Sequence, residues 1–146
     1  EQSVMLFLHE EDVHAKWKKE GHCTAVMSVK GASRNKESLS GENWDWKNTY
    51  YQLPSVIHVQ PKDGLSTLTY NYPGLPFCCG VNQNGVSLVW TGAGYAPTVK
   101  PRVGVPTYAL TTEILQAASV QQAVDLCTRA KNAGCFIFLI AVQCDG

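Results

Sequence analysis

Apolar and polar residues alternate along much of the chain between residues 24 and 90. This period of two is typical of β-strands with one buried face. It predicts strands over residues 24–29, 39–46, 56–60, 65–72, 77–81 and 86–90. Turn signals such as Pro61-Lys62-Asp63-Gly64 and Asn84-Gly85 separate paired strands, so antiparallel hairpins are predicted over residues 24–46, 56–72 and 77–90.

The pattern changes after residue 103, where apolar residues recur at helical spacing. Pro106 suits the first turn of one helix. Ser119-Val120-Gln121-Gln122 is typical of a capping box, so a second helix is predicted to begin there and to end near residues 132–134. The apolar run Phe136–Val142 then predicts a buried strand. This order predicts an α+β fold, with helices packed on mostly antiparallel sheets.

Length and charge limit the number of domains and the kinds of binding partner that are predicted. The 146 residues suit one domain, and 12 basic residues balance 12 acidic ones, so neither nucleic acid nor a membrane is a predicted partner. No apolar run approaches the roughly 20 residues that a membrane-spanning helix needs. Gln143-Cys144-Asp145-Gly146 follows a predicted strand and resembles the start of a hairpin. We therefore expect the sequence to be part of a larger protein, truncated after residue 146.

Six cysteines occur, at positions 23, 78, 79, 127, 135 and 144. They form no Cys-x-x-Cys pair and have no histidine at metal-ligand spacing, so neither a metal site nor a cofactor is predicted. An even number allows disulfides, but Cys78 and Cys79 are adjacent, and Cys135 and Cys144 lie in apolar surroundings. Free thiols in a reducing compartment are favoured, which predicts an intracellular, cytoplasmic protein.

Cys23 is the candidate nucleophile, because it stands at the head of a predicted strand. If the peptide bond after His22 is cut, Cys23 carries a thiol and a free α-amine within reach of each other. A thiol is a strong nucleophile, and an adjacent amine can act as its base. From spacing alone, a buried and unreactive cysteine explains the position equally simply.

Three segments add to this pattern, namely residues 21–28 around Cys23, the run Gly41-Glu42-Asn43-Trp44-Asp45-Trp46, and residues 79–87. Together they resemble the acyl-coenzyme A:6-aminopenicillanate acyltransferase family. These are N-terminal-nucleophile cysteine hydrolases, and β-alanyl-dopamine hydrolase is among them. The resemblance spans nearly the whole chain, and the Asn-Trp-Asp motif is its most specific part.

The resemblance implies a four-layer αββα sandwich, of which this chain holds a part. It implies that residues 1–22 end a propeptide and that residues 23–146 begin the catalytic domain. Cleavage between His22 and Cys23 would leave the propeptide as a partner chain. The Cys23 thiolate would then attack the amide or thioester of a small N-acyl amine or amino acid and form an acyl-enzyme.

The resemblance also assigns roles to residues near the cleavage site. Asp45 corresponds to the family's acid and would orient the new N-terminus, and His22 replaces a glycine that is usual there. Candidate pocket residues complete the set: Thr24, Asn43, Trp44 and Asn82. The family's oxyanion-hole residues are expected beyond residue 146.

Two other classes of function remain open at this point. The chain is alternatively a non-catalytic module that keeps the same fold, which His22 at the cleavage position favours. It is also compatible with an unrelated α+β binding domain in which Cys23 is a buried core residue.

Overall fold

The computed structural model of the chain describes residues 23–45, 52–93 and 103–142. In these ranges the first two strands form an antiparallel pair, β1 (Thr24–Ser28) and β2 (Leu39–Asn43), which we call the ribbon. Thr24 lies opposite Asn43 and Ser28 opposite Leu39. The polar turn predicted between these strands is present, so the first hairpin prediction is confirmed.

Five further strands form a second antiparallel sheet. They are β3 (Ser55–Val59), β4 (Thr67–Asn71), β5 (Cys79–Asn82), β6 (Val86–Gly92) and β7 (Phe136–Val142). Their order in the sheet is the order in the chain, and β6 pairs with β7 over its full length. The two hairpins predicted within this sheet, β3 with β4 and β5 with β6, are therefore confirmed.

The two helices of the described residues are α1 (Thr107–Leu115) and α2 (Val120–Arg129). Pro106 immediately precedes α1 with an extended backbone, and Ser119 caps α2 by accepting a hydrogen bond from the Gln122 backbone N–H. The Gln122 side chain accepts from the Ala118 N–H, one residue before the cap. The predicted capping box is therefore present at the start of α2. It differs from the standard box in that the glutamine side chain reaches the residue before the cap.

Both helices pack on one face of the five-stranded sheet. Val86 and Leu88 of β6 are fully buried there against Ile114 and Leu115 of α1 and Ala123 of α2. A second buried cluster joins Trp90, Cys78 and Tyr108 at one end of the same layer. Burial of these apolar side chains is the main source of stability for the layer.

The ribbon lies against the other face of this sheet, mainly over β6, with fewer contacts to β7. That face carries Leu68 opposite Val81, and both side chains are substantially exposed beside the ribbon. The layers are therefore helices, a five-stranded sheet and a two-stranded ribbon, which confirms an α+β fold.

Several element boundaries differ from the predictions by a few residues. β5 begins at Cys79 rather than Phe77, because the Cys78 N–H donates to Asn71 Oδ1 instead of continuing the ladder. β6 extends through Thr91 to Gly92, which were predicted as loop, and α2 ends at Arg129, before 132–134. β2 is defined as far as Asn43.

Several predictions concern residues outside the described ranges. The propeptide segment 1–22 with His22, residue 46 of the Trp-rich motif, and the final segment 143–146 all lie there. The five cysteines inside the described ranges are thiols rather than disulfides. No helix of the described ranges is long and apolar enough to cross a membrane.

Candidate functional site

Cys23 directly precedes β1 and is partly buried at the junction between the ribbon and the larger sheet. Its backbone carbonyl accepts a hydrogen bond from Thr91 Oγ1 at 3.3 Å. The start of β1 is thereby attached to β6, the strand of the larger sheet on which the ribbon mainly lies. A residue held in this way has a defined position relative to the sheet, which a nucleophile requires.

The two faces of the ribbon differ in what they carry. Because side chains alternate along a strand, Cys23 and Ala25 share one face, and Glu42 shares it because it lies opposite Ala25. Thr24 and Asn43 form a pair on the other face, and both are exposed. Cys23 and Glu42 are consequently diagonal neighbours on the face turned toward the larger sheet.

Asp45 is exposed just beyond the end of β2. Its Oδ1 accepts a hydrogen bond of 2.9 Å from Asn43 Nδ2. The predicted site residues Asn43 and Asp45 therefore contact each other at the end of the ribbon. Each is adjacent in sequence to the inward-facing Trp44.

Glu42 is the most perturbed acid of the described residues. Its Oε2 accepts a hydrogen bond of 3.2 Å from the Trp90 backbone N–H. Trp90 lies beyond the Gly80–Leu88 pair, the last pair between β5 and β6, so its N–H has no partner in β5. Its Oε1 is buried and has no hydrogen-bond partner among the described residues. Burial raises the pKa of Glu42 to about 7, although the Trp90 N–H works in the opposite direction.

Trp44 packs its ring edge-on against Trp90, with centroids 4.9 Å apart, and at 6.1 Å from the ring of Tyr72. The indole thereby packs against the buried cluster of Trp90, Cys78 and Tyr108. Its Nε1 is also buried and lacks an acceptor in the described part of the chain. A buried N–H without an acceptor costs roughly 1–3 kcal/mol.

A cavity of about 630 Å³ lies between the ribbon and the five-stranded sheet. Glu42 and Trp44 line it from the ribbon side, and Tyr70 and Tyr72 line it from the β4 side. Cys79 adds a thiol, and none of the lining residues that the structure describes is Lys, Arg or His. Cys23 lies beside this cavity rather than in its lining, as do Thr24, Asn43 and Asp45.

Asn82 lies on the helix-facing side of the sheet and is buried. Its Nδ2 donates to the carbonyls of Leu115 and Ala117, and its Oδ1 accepts from the N–H groups of Asn84 and Val86. The side chain therefore joins the β5–β6 turn to the end of α1, and the cavity lining does not include it.

Glu42 is a cavity residue that the sequence predictions did not single out. The signal for it is present in the strand pattern, because a carboxyl group occupies a position that alternation turns inward. A charged residue at an inward position of a strand is rarely there for packing alone.

The protein is therefore an α+β protein in which helices cover one face of the larger sheet and the ribbon covers part of the other. A cavity lies between the two sheets, and Cys23 directly precedes the first strand of the ribbon. A family model described as acyl-coenzyme A:6-aminopenicillanic acid acyl-transferase matches residues 32–144. The chain belongs to this family of acyltransferases, as its motifs indicated. The matched residues include Glu42, Asp45 and Asn82, and they begin after Cys23. No curated protein matches the chain.

Proposed function

We propose that the protein is a self-cleaving cysteine amidohydrolase or acyltransferase that acts on the amide or thioester of small N-acyl amines or amino acids. The observation that carries the proposal is the position of Cys23 in a chain of this acyltransferase family. Cys23 heads the ribbon, is fixed to β6 through Thr91, and shares a face of the ribbon with Glu42, which lines the cavity.

Processing would begin with attack of the Cys23 thiol on the His22 carbonyl carbon. A C–S bond forms, the His22–Cys23 C–N bond breaks, and the nitrogen becomes the α-amine of Cys23 by taking the thiol proton. Water then hydrolyses the thioester, which frees the propeptide with a new carboxylate and regenerates the thiol.

Turnover would use the new amine as the base. An α-amine has a pKa of about 7.7–8.0, so a neutral fraction is present near pH 7 and can accept the thiol proton. The thiolate adds to the substrate carbonyl, and the departing amine or thiol leaves with that proton. Water or an acceptor amine then resolves the acyl-Cys23 intermediate.

Asp45 would orient the ammonium form of the new N-terminus and balance its charge. A carboxylate close to an amine favours the protonated amine, so this role is positioning rather than deprotonation. The hydrogen bond from Asn43 supports the proposal, because it restricts the Asp45 carboxylate at the end of β2.

The four-layer αββα sandwich is likewise a proposal. The ribbon over one face of the sheet and the helices over the other supply a part of three such layers. The apolar Leu68 and Val81, partly exposed beside the ribbon, support a larger second sheet over this face.

A non-catalytic module with the same fold is the second candidate. The observation that favours it is His22, because glycine tolerates the strained backbone of a scissile bond better than histidine does.

Covalent labelling tests the choice between these candidates. The full-length protein is incubated with S-acetyl-N-acetylcysteamine, a small acyl thioester, and then digested for peptide mass analysis. Acetylation of the Cys23 thiol is expected in the wild type and is lost in Cys23→Ala. Cys127 is the matched control, because burial raises the pKa of its thiol and disfavours the thiolate. Equal labelling of Cys23 and Cys127, or none, would support the non-catalytic module.

A further inference from the structure

We propose that Thr91 and Glu42 are positioning residues for the Cys23 nucleophile. Two consecutive residues of β6, Trp90 and Thr91, each hold one strand of the ribbon, and together these bonds determine where the Cys23 thiol is presented. The inference deepens the proposed function and rests on it in taking Cys23 as the nucleophile.

The two bonds attach different strands of the ribbon to one short stretch of β6. The Thr91 hydroxyl donates to the Cys23 carbonyl at 3.3 Å, which holds the start of β1. The Trp90 backbone N–H donates to Glu42 Oε2 at 3.2 Å, which holds β2. Because the two donors are adjacent in sequence, the ribbon cannot slide along β6 without breaking both bonds.

The part of β6 that carries these donors is itself held firmly. Thr91 lies opposite Ile137 in the ladder with β7, so its backbone is paired there. The Trp90 indole N–H donates to the Cys78 carbonyl at 2.8 Å, and its ring meets that of Phe136 edge-on with centroids 4.9 Å apart. Groups on such a rigid element hold a site more precisely than groups on a loop.

Cys23 needs a partner of this kind because it lies just outside the ribbon's own ladder. The register of that ladder ends at the Thr24–Asn43 pair, and Cys23 precedes it. After cleavage of the His22–Cys23 bond, Cys23 would be the end of a chain, and chain ends are poorly ordered unless they are tied down. The bond from Thr91 ties this residue to a neighbouring sheet.

The atom that Thr91 holds is close to the reacting atoms. The Cys23 carbonyl oxygen lies in the same peptide plane as the Cys23 Cα, so a bond to this oxygen restricts that plane. The α-amine and the Cβ that carries the thiol are both bonded to this Cα. Misplacement of a reacting group by about 1 Å can lower a rate roughly 100-fold, so a bond at this oxygen bears directly on turnover.

Threonine suits this role because its side chain is stiff. Two heavy atoms on Cβ restrict the rotation of the side chain, so the hydroxyl has few directions in which to point. Serine at the same position would donate to the same oxygen but rotate more freely, and valine would fill the same space without a donor. Because Thr91 is only partly buried, either replacement should leave the fold intact.

A purely structural role is the alternative, in which the two bonds only fasten the ribbon to the sheet. Glu42 argues against it, because its Oε1 is buried and has no hydrogen-bond partner among the described residues. Such an atom lowers stability. A carboxyl group at this place therefore weakens the fold while its other oxygen fixes the position of β2 relative to Trp90.

Steady-state kinetics of full-length Thr91 variants test the positioning role, with kcat expressed per cut chain. Thr91→Val should lower kcat for S-acetyl-N-acetylcysteamine by about tenfold or more and leave KM within about twofold, because the substrate binds as before. Thr91→Ser keeps the donor and should stay within about threefold of the wild type. Thr112→Val is the matched control, because Thr112 also donates its hydroxyl to a carbonyl, that of Tyr108, but lies on α1.

A double-mutant cycle tests whether Glu42 and Thr91 act together. Glu42→Gln keeps an acceptor for the Trp90 N–H, so kcat should stay within about threefold, whereas Glu42→Leu removes it and should lower kcat about fivefold or more. The double variant Glu42→Leu with Thr91→Val should lose less than the product of the two single losses, because both bonds fix the same contact.

Thermal midpoints of the same variants separate positioning from folding, and all are expected to stay close to the wild type. Full kcat in Thr91→Val, or an equal loss in Thr91→Ser, would overturn the inference. A loss of kcat that follows a lowered midpoint in both Thr91→Val and Thr112→Val would make the role structural and overturn it too. If Cys23 is acetylated while Thr91→Val keeps full kcat, the proposed function stands and this inference alone fails. A wild type without acetylation of Cys23 would overturn both.

Discussion

Glu42 shows how one residue acquires chemistry from its position in a strand. Alternation turns its carboxyl group toward the larger sheet, the Trp90 N–H holds one oxygen, and the other oxygen is buried in the described structure without a partner. Desolvation favours the neutral acid, so the pKa rises to about 7. A surface glutamate on the same ribbon, such as Glu37, has no such environment.

The raised pKa of Glu42 makes a prediction about stability and pH. Its folded-state pKa of about 7 exceeds its ordinary value of 4.5, so its stabilising contribution is complete below pH 4.5 and is lost as the pH rises through 7. Glu42→Gln should leave the stability unchanged at pH 4.5. At pH 8 it should raise the free energy of unfolding by roughly 1–2 kcal/mol, after allowance for solvent screening, and raise the thermal midpoint accordingly.

Thermal unfolding of both proteins from pH 4.5 to pH 8 measures this difference. Glu37→Gln serves as the control and should follow the wild type throughout. Parallel curves for Glu42→Gln and the wild type would show that Glu42 titrates normally.

Asp45 carries a prediction of the opposite kind, about activity rather than stability. Its side chain is exposed and, among the described residues, accepts one hydrogen bond, from Asn43 Nδ2, so its removal should cost the fold little. Asp45→Asn should lower turnover by more than tenfold, about 1.4 kcal/mol of transition-state stabilisation, if the charge orients the Cys23 amine. Steady-state kinetics on the full-length protein with S-acetyl-N-acetylcysteamine measure this, and unchanged turnover would remove Asp45 from the site.

At the scale of elements, β6 connects the layers of the molecule. One face of β6 packs on the helices through Val86 and Leu88, and its Trp90 and Thr91 hold the ribbon. The Asn82 side chain stabilises the turn into this strand and binds the end of α1 at the same time. A strand with so many attachments is where a local change should destabilise the whole domain.

Asn82→Ala tests this connection. The change removes a buried side chain and leaves the carbonyls of Leu115 and Ala117 and the Val86 N–H without that partner, so we expect a loss of roughly 2–4 kcal/mol in unfolding free energy. Asn84→Ala, in the exposed part of the same turn, should cost less than about 1 kcal/mol. Denaturant unfolding of both variants measures the difference, and equal losses would contradict the role given to Asn82.

The same elements show what the sequence can predict and what it cannot. Alternation predicted the ribbon and the pairing of β3 with β4 because side-chain period is a local property. Asn82 was predicted as a candidate pocket residue, and its bonds to the end of α1 were not foreseen, because they join positions more than 30 residues apart and leave no local pattern. The cavity at Glu42 likewise depends on how the ribbon lies on β6, which periodicity does not encode.

At the scale of the whole molecule, the family and the layered fold agree. The matched span, residues 32–144, contains β2 of the ribbon, all of the larger sheet and both helices, and it begins after β1. The candidate nucleophile, Cys23, stands before this span. The central claim therefore concerns one bond, the peptide bond between His22 and Cys23.

Intact-mass analysis of the purified full-length protein tests that claim most directly. The account predicts two chains whose masses sum to the translated sequence plus one water, with the second chain beginning at Cys23. Cys23→Ala should give one uncut chain, and Cys127→Ala should be cut as the wild type is. A wild-type protein that stays as one chain and still hydrolyses amides or thioesters would contradict the mechanism, because its nucleophile would lack the free amine that serves as its base.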